Sequence, residues 1–440
     1  MWRSFLGRHT EGGSIMRYAV IPALLFAATL AVSGQVQTRQ PVPAFPGQTA
    51  APPPAVPSPP IMVETVADGL DAPWALAFLP DGSCLVTENG GTMRIVKRDG
   101  TVGGPIAGVP PVKSIAGLGL HDIVLDSAFT QNRTLYFTYF APPKGEAPAA
   151  WPIQFFYEHV WRPSLAERRT MQIGTERVAR ARLGVDQLRL EDVEVIAEGV
   201  ERRIVMARDG TLFVTGADRY RLYDSKVDGV EHEFADDPDI RRNFSGRVIR
   251  IHSDGSIPAD NPWLNRATVP ADTYAHGLRD PEGAALHPVT GELWVTDHGP
   301  QGGDEVDIIK PGADYGWPDV SYGVQYDARQ PDGRKNVRVG SGRTSRPDIQ
   351  EPVYYWVPDI APSGMMFYTG ERFPAWKNNL FIGAMAGQQL VRLVLNGNRV
   401  VAEEKLLTSL KQRIREVRQA IDGSVYVLAG ASLVRLTPKN

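Results

Sequence analysis

Two stretches of the 440-residue chain concentrate side chains that can do chemistry. In the first, Asp297, His298, Asp304, Glu305 and Asp307 surround Gly299-Pro300 and Gly302-Gly303, so carboxylate oxygens and bare backbone carbonyls crowd one short loop. Hard oxygen donors of this kind suit Ca²⁺ better than zinc, although an acidic, solvated turn has the same composition. In the second, Arg413 and Arg415 stand two apart, which on a strand puts both guanidinium groups on one face and turns Ile414 the other way. Like charges on one face repel. The pair therefore calls for a bound anion, or for internal acids such as Glu416, which with Arg418 would form a local charge ladder.

The elements that must position these groups read as strands. The acidic loop follows a hairpin, Ala284 to His287 and Glu292 to Thr296, joined through Pro-x-Thr-Gly. The same phrase recurs at Ala75–Thr87, His121–Thr138, Ile204–Thr215, Met365–Gly383 and Val417–Leu428, which makes six hairpins. Further strands such as Arg247 to Ile251 and Leu390 to Val394 lie between them, so each unit supplies about four strands, the size of a propeller blade. The fold expected is all-β, a six-bladed β-propeller of four-stranded blades; a β-sandwich is the rival, but six copies of one phrase favour radial repetition. In a propeller the loops at one end converge, so Asp297 to Asp307, Arg279-Asp280, His121-Asp122 and Arg413-Ile414-Arg415 are expected to share one mouth.

Composition sets outer bounds. With 43 glycines and 36 prolines the chain favours turns over long helices, and a net charge of -3 gives no electrostatic footprint for nucleic acid. The single cysteine, Cys84, excludes an internal disulfide and a C-x-x-C-H haem attachment, so redox chemistry would need another cofactor and a separate electron acceptor. From Met16, which is a candidate true start, a short basic segment leads into an apolar run that ends in small residues before Gln35. That pattern reads as a cleaved export signal over residues 1–34, giving a periplasmic or secreted protein with no integral span after processing. Nine prolines between Pro41 and Pro60 make residues 35–60 an extended tether, with a single propeller domain over 61–440.

Several phrases appear in a fixed order: Ala72-Pro73-Trp74, Gly277-Leu278-Arg279-Asp280-Pro281-Glu282-Gly283, Gly299-Pro300-x-x-Gly303-Asp304-Glu305, Asp314-Tyr315-Gly316-Trp317-Pro318, Ile360-Ala361-Pro362-Ser363-Gly364 and Arg413-Ile414-Arg415. Together, from Val63 to Leu436, they resemble the soluble quinoprotein glucose/sorbosone dehydrogenase family, its aldose sugar dehydrogenase branch in particular. The resemblance implies a propeller that binds pyrroloquinoline quinone (PQQ) and Ca²⁺ at the channel mouth, oxidises the C1 hydroxyl of an aldose and passes electrons to an external quinone or cytochrome. It implies that the Gly299 and Pro300 carbonyls ligate Ca²⁺, that Arg279 sits beside the quinone oxygens with Asp280 next to it, and that Trp356 stacks near quinone and sugar. Arg413 and Arg415 would hold cofactor carboxylates, which suits their fork geometry.

The departures bear on catalysis. Where the family carries a histidine base ahead of the third hairpin, this chain reads Gly199-Val200-Glu201-Arg202-Arg203. A cofactor-binding lysine falls on or next to Ala386, the family's Arg-Asn pair is Arg279-Asp280, and its Gln-Gly-Gly-Leu-Leu-Asp phrase becomes Gly117 to Asp122 with a histidine at 121. Removing a sugar hydroxyl proton needs a base, worth about 10² to 10⁴ in rate. His121 is the foremost substitute, ahead of His276, His298 and His232. A calcium-dependent propeller lactonase, or a catalytically silent sugar- or protein-binding relative, would account for the same losses.

Overall fold

The computed structural model describes residues 51–114, 117–143, 174–218, 246–266, 269–326 and 335–439. The export signal, the first part of the proline tether and His232 lie outside them.

The repeated hairpins build six four-stranded antiparallel sheets. Strand β1 (Ile61–Ala67) precedes the first blade, which holds β2 (Pro73–Phe78), β3 (Cys84–Glu88), β4 (Thr92–Val96) and β5 (Val102–Pro105). The second blade holds β6 (Leu120–Leu125), β7 (Thr134–Ala141), β8 (Thr175–Leu183) and β9 (Leu190–Glu198), with one helical turn, α1 (Phe129–Asn132), inside its first hairpin. The third holds β10 (Ile204–Met206), β11 (Leu212–Gly216), β12 (Arg247–Ile251) and β13 (Thr273–His276), and the fourth β14 (Pro281–Leu286), β15 (Leu293–Asp297), β16 (Asp304–Ile309) and β17 (Tyr354–Trp356). The fifth holds β18 (Pro362–Phe367), β19 (Leu380–Ala384), β20 (Gln389–Asn396) and β21 (Arg399–Leu406). In the sixth, β22 (Ile414–Gln419), β23 (Val425–Ala429) and β24 (Ser432–Pro438) are completed by β1, whose Ile61 pairs with Pro438.

Strands β2, β6, β10, β14, β18 and β22 touch one another in a closed ring, which makes each the innermost strand of its blade and the fold a six-bladed propeller. Apolar alternation supplies the wedges between blades: Trp74, Leu85 and Met93 of the first pack on Ile123, Phe137 and Ala179 of the second. Turns repeat as well. At Asp81-Gly82-Ser83, Asp209-Gly210-Thr211 and Asp422-Gly423-Ser424 the aspartate Oδ1 accepts the N–H of the residue two ahead, and each glycine sits at φ near +80°. This Asx arrangement mimics a backbone turn, and the left-handed glycine makes it tight.

A second repeat ties blade to blade. Thr87, Thr138, Thr215 and Thr296 lie in the second strands of four successive hairpins, and each hydroxyl donates to a carbonyl at the start of the next blade: His121 (2.6 Å), Arg202 (2.9 Å), Pro281 (3.1 Å) and Ser363 (3.4 Å). In the fifth blade Gly383 stands at that place, and Ser363 Oγ reaches Ile414 O (2.6 Å) instead. Threonine serves here because its methyl packs in the sheet while its hydroxyl satisfies a buried carbonyl.

The described end of the proline-rich segment is bound to the propeller. Residues 51–60 lie bound mostly along the fifth blade: Pro52 O accepts Glu403 N–H (2.9 Å), Val56 O accepts Arg392 (3.3 Å), and Ser58 donates to Glu404 while Trp376 Nε1 donates to Ser58 Oγ (2.8 Å). Proline lacks an N–H but keeps its carbonyl, so a proline-rich strand can dock where the partner supplies the donors.

Thr215 also accepts the Arg203 N–H at 3.0 Å, so Thr215→Val strands two buried backbone groups. Urea denaturation should show a loss of about 1–3 kcal/mol for each, whereas Thr215→Ser should retain most of the stability.

Candidate functional site

The inner strands all run the same way along the axis, so their starts share one end, and the β15–β16 turn lies at that end because Pro281 pairs with Asp297. At these starts a bulge recurs. Register slips by one residue at Trp74, at Glu282 and at Arg415, and between Leu120 and Ile123 and between Pro362 and Met365. A bulge leaves an extra residue unpaired and re-aims its side chain. Here it gathers Trp74, His121, Glu282 and Arg415 around one opening: the Trp74 ring stacks on His121 (4.7 Å, 22°) and lies 5.4 Å from the Arg415 guanidinium, which donates to Glu282 Oε2 (2.7 Å).

Below them Arg203 occupies the axis. Its guanidinium lies 4.0 Å from the Trp74 ring centroid, donates to Glu416 Oε2, to Glu282 O (2.7 Å) and to Arg415 O (3.3 Å), and reaches Asp122 Oδ1 at 3.4 Å. Burial opposes its charge, and Glu416 and Asp122 outweigh it. Arg418 closes the cluster on Glu416 Oε1 (2.8 Å).

Above, Arg202 meets Asp280 Oδ1 (2.9 Å), Glu201 Oε1 (3.4 Å) and Glu282 Oε1 (3.6 Å). Burial would raise the Glu282 carboxyl, but Arg202 and Arg415 hold it well below the usual carboxylate range. Burial, together with Arg203, Arg202 and Arg413, lowers Arg415 despite Glu282.

The predicted site residues divide. Arg279 reaches the mouth, where Nη1 donates to the carbonyls of His298 (2.8 Å) and Gly299 (2.9 Å) and its guanidinium lies 5.4 Å from the Trp317 ring. Arg413 is exposed, with Nη2 3.5 Å from Met385 Sδ. Among the described residues, neither Arg279 nor Arg413 has a carboxylate partner, while Arg202, Arg203, Arg415 and Arg418 all do. The acid that meets Arg415 is Glu282 and not Glu416, so the local ladder is only half formed.

Gly299 sits in a turn so tight that an added Cβ would lie 2.2 Å from Gly302 O, with Pro300 buried beside it. Asp304 staples this turn, accepting N–H groups from Gly299 (2.9 Å), Ile360 and Ala361 (both 2.8 Å). Asp297 accepts the N–H groups of Arg279 (2.7 Å) and Asp280 (2.6 Å), although burial pushes its carboxyl up to about 7. Glu305 and Asp307 lie within β16, where burial and neighbouring carboxylates push both well above the carboxylate range. The dense acid count of the loop is therefore largely internal architecture.

Two residues differ from expectation. Trp356 belongs to the outermost strand β17; its indole packs against Tyr354 in the core between blades and donates to Glu403 Oε2 (3.0 Å), so it does not stack at the mouth. His121 is fully buried with Nδ1 on Glu201 O (2.8 Å) and Nε2 on Gly117 O (2.9 Å). With a carbonyl facing each ring nitrogen, neither presents a lone pair to the channel. Asp122 goes to Arg203 and the Ile204 N–H, not to His121. Arg202, Arg203, Glu201 and Glu282 escaped sequence reasoning; the available signal is their position at the starts of aligned hairpins.

A carboxyl lowered on folding adds stability above its unfolded value of 4.5 and loses it as pH falls below. Thermal melting from pH 6 to pH 3 should therefore drop steeply for the natural chain and less steeply for Glu282→Gln.

The mouth combines arginines, tight glycine turns and a closed ring of strands in an order shared with known proteins. The profile of the family described as Glucose / Sorbosone dehydrogenase matches residues 70–437. An uncharacterized protein of Synechocystis sp. is 35% identical over 391 residues, 84% of each chain. Aldose sugar dehydrogenase YliI of Escherichia coli is 31% identical over 386 residues, 86% of this chain and 94% of that one. A solved structure described as glucose dehydrogenase superposes with a TM-score of 0.70 at 32% identity, covering 86% of this chain and 99% of the other. The chain belongs to the glucose/sorbosone dehydrogenase family.

Proposed function

We propose that the protein is an exported PQQ-dependent dehydrogenase that oxidises the C1 hydroxyl of an aldose and hands the electrons to an external acceptor. The observation that carries this reading is the charge imbalance at the mouth, where, among the described residues, Arg279 and Arg413 have no carboxylate partner while Arg202, Arg203, Arg415 and Arg418 do. A multiply carboxylated cofactor supplies the missing anions, and guanidinium forks are their natural partners. When bound, PQQ would serve as acceptor for the two electrons and hydrogen leaving the sugar C1.

The chain's own residues do the rest. Arg413 would hold a cofactor carboxylate and Arg279 would face a quinone oxygen, while Arg415, paired with Glu282, would add positive potential. Trp74 offers an aromatic face held between Arg203 and His121. The Gly299 and Pro300 carbonyls are the candidate Ca²⁺ ligands, but Gly299 O accepts from Arg279. Calcium on that carbonyl would lie beside the Arg279 guanidinium, so Arg279 would turn to another acceptor, such as a quinone oxygen of the cofactor. Export rests on the Met16 to Gly34 pattern; among the described residues no helix is long and apolar enough to cross a membrane.

The decisive experiment adds PQQ and Ca²⁺ to purified protein and looks for a quinone spectrum that an aldose bleaches. Calcium should bind more tightly with PQQ present than without. No quinone spectrum, together with hydrolysis of sugar lactones, would favour the metal-dependent hydrolase reading. Arg413→Ala should weaken PQQ binding about ten- to a hundredfold, equivalent to about 1.5–3 kcal/mol, with little change in melting temperature. Arg415→Ala should lower the melting temperature as well, because it removes a partner from buried Glu282.

A further inference from the structure

The side chains of Asp280, Glu282 and His298 converge from two different elements, β14 with its approach and the β15–β16 turn, until their ligand atoms all lie within 4.8 Å of one another. We infer that they form a binding site for a divalent first-row transition ion, distinct from the backbone-carbonyl calcium site. Opposite ligands on an ion with bonds of about 2.0–2.2 Å lie about 4.0–4.4 Å apart, so side-chain adjustments of a few tenths of an ångström bring the three groups onto one ion.

The surrounding contacts favour this use. Arg202 engages Asp280 Oδ1 and stands 3.6 Å from Glu282 Oε1, and Arg415 engages Glu282 Oε2, so among the described residues Asp280 Oδ2 meets no donor and Glu282 Oε1 has only the longer Arg202 contact. His298 places Nε2 against the Pro362 carbonyl, which requires an N–H there and leaves Nδ1 as the lone-pair nitrogen. A ligating histidine that donates its other N–H to a backbone carbonyl is the usual supporting arrangement, because it fixes both tautomer and ring orientation. One imidazole with two carboxylates is a mixed nitrogen and oxygen set, which selects zinc, manganese, iron or cobalt over the all-oxygen shell that calcium takes.

The arginines determine what the ion would do. Asp280 and Glu282 are already neutralised by Arg202 and Arg415, so the two positive charges of the ion remain uncompensated by its protein ligands. Such an ion draws an anionic oxygen into its open positions and lowers the pKa of a bound hydroxyl. A sugar hydroxyl or a water bound there would lose its proton to solvent, a route to the alkoxide or hydroxide that needs no histidine base. The site would thereby stand in for the histidine base that the resemblance places at Gly199.

The test strips the full chain with a chelator and titrates it with Co²⁺ alone, with no quinone or sugar present. One saturable equivalent with visible ligand-field bands is expected, displaced by Zn²⁺ but not by the same concentration of Ca²⁺. His298→Ala should abolish the bands and weaken Co²⁺ binding at least about tenfold. It should leave the melting temperature of the stripped protein nearly unchanged, because among the described residues the imidazole makes one hydrogen bond, to the Pro362 carbonyl. His298→Gln serves as the second variant should the alanine protein misfold. Absence of saturable binding, or binding unaffected by either variant, would overturn the inference. Because quinone is absent from the titration, its outcome is separate from that of the PQQ experiment.

Discussion

A single buried guanidinium fixes the geometry on which the mouth depends. Arg203 is 1% exposed, and arginine cannot shed its proton, so its charge must be matched wherever it lies. It is matched from every side: Trp74 from β2, Asp122 from β6, the Glu282 carbonyl from β14, and Glu416 with the Arg415 carbonyl from β22. Four inner strands are thereby referenced to one planar group, which itself stands just ahead of a fifth, β10. Removing one partner would leave the others buried with an uncompensated charge, a cost of about 3–5 kcal/mol, so the cluster acts as a unit.

Around that anchor the mouth sorts its charges into matched and unmatched. The inner arginines are neutralised by acids of the same chain, whereas Arg279 and Arg413 face carbonyls and a thioether. Among the described residues, Arg279 and Arg413 are thus the two mouth arginines whose charge no carboxylate meets. The bulges make the sorting possible, because each frees one residue from the sheet's alternation without interrupting the ladder beyond it.

The blades are legible in the sequence because period-two alternation and Asp-Gly turns are local signals, and six copies reinforce one another. Thr87, Thr138, Thr215 and Thr296 are visible there as the ends of hairpins, though not as links between blades. The site is legible only where a motif carries it. Arg203 and Glu416 are 213 residues apart, and nothing local announces their pairing. Alternation alone misjudges Arg415, since its bulge breaks the period just there. Trp356 misleads for a related reason: its carbonyl does accept from Gly303 in the mouth loop (2.8 Å), yet the outermost strand turns its indole into the wedge between blades. The aromatic that reaches the axis is Trp74, on the innermost strand of the first blade.

The sixth blade takes three strands from one end of the folded chain and its last, β1, from the other. Ile61 must therefore find Pro438 across nearly the whole polypeptide before the ring can shut. Contacts of such long sequence separation form slowly, because the loop they close costs entropy before the pairing returns any. A chain emerging from a ribosome has no partner edge for β1 until β24 is made, so the ring of blades stays open until then. Such unpaired edges invite pairing with other chains, so the vulnerable interval of this protein's life is its assembly, and it ends with the last strand to arrive.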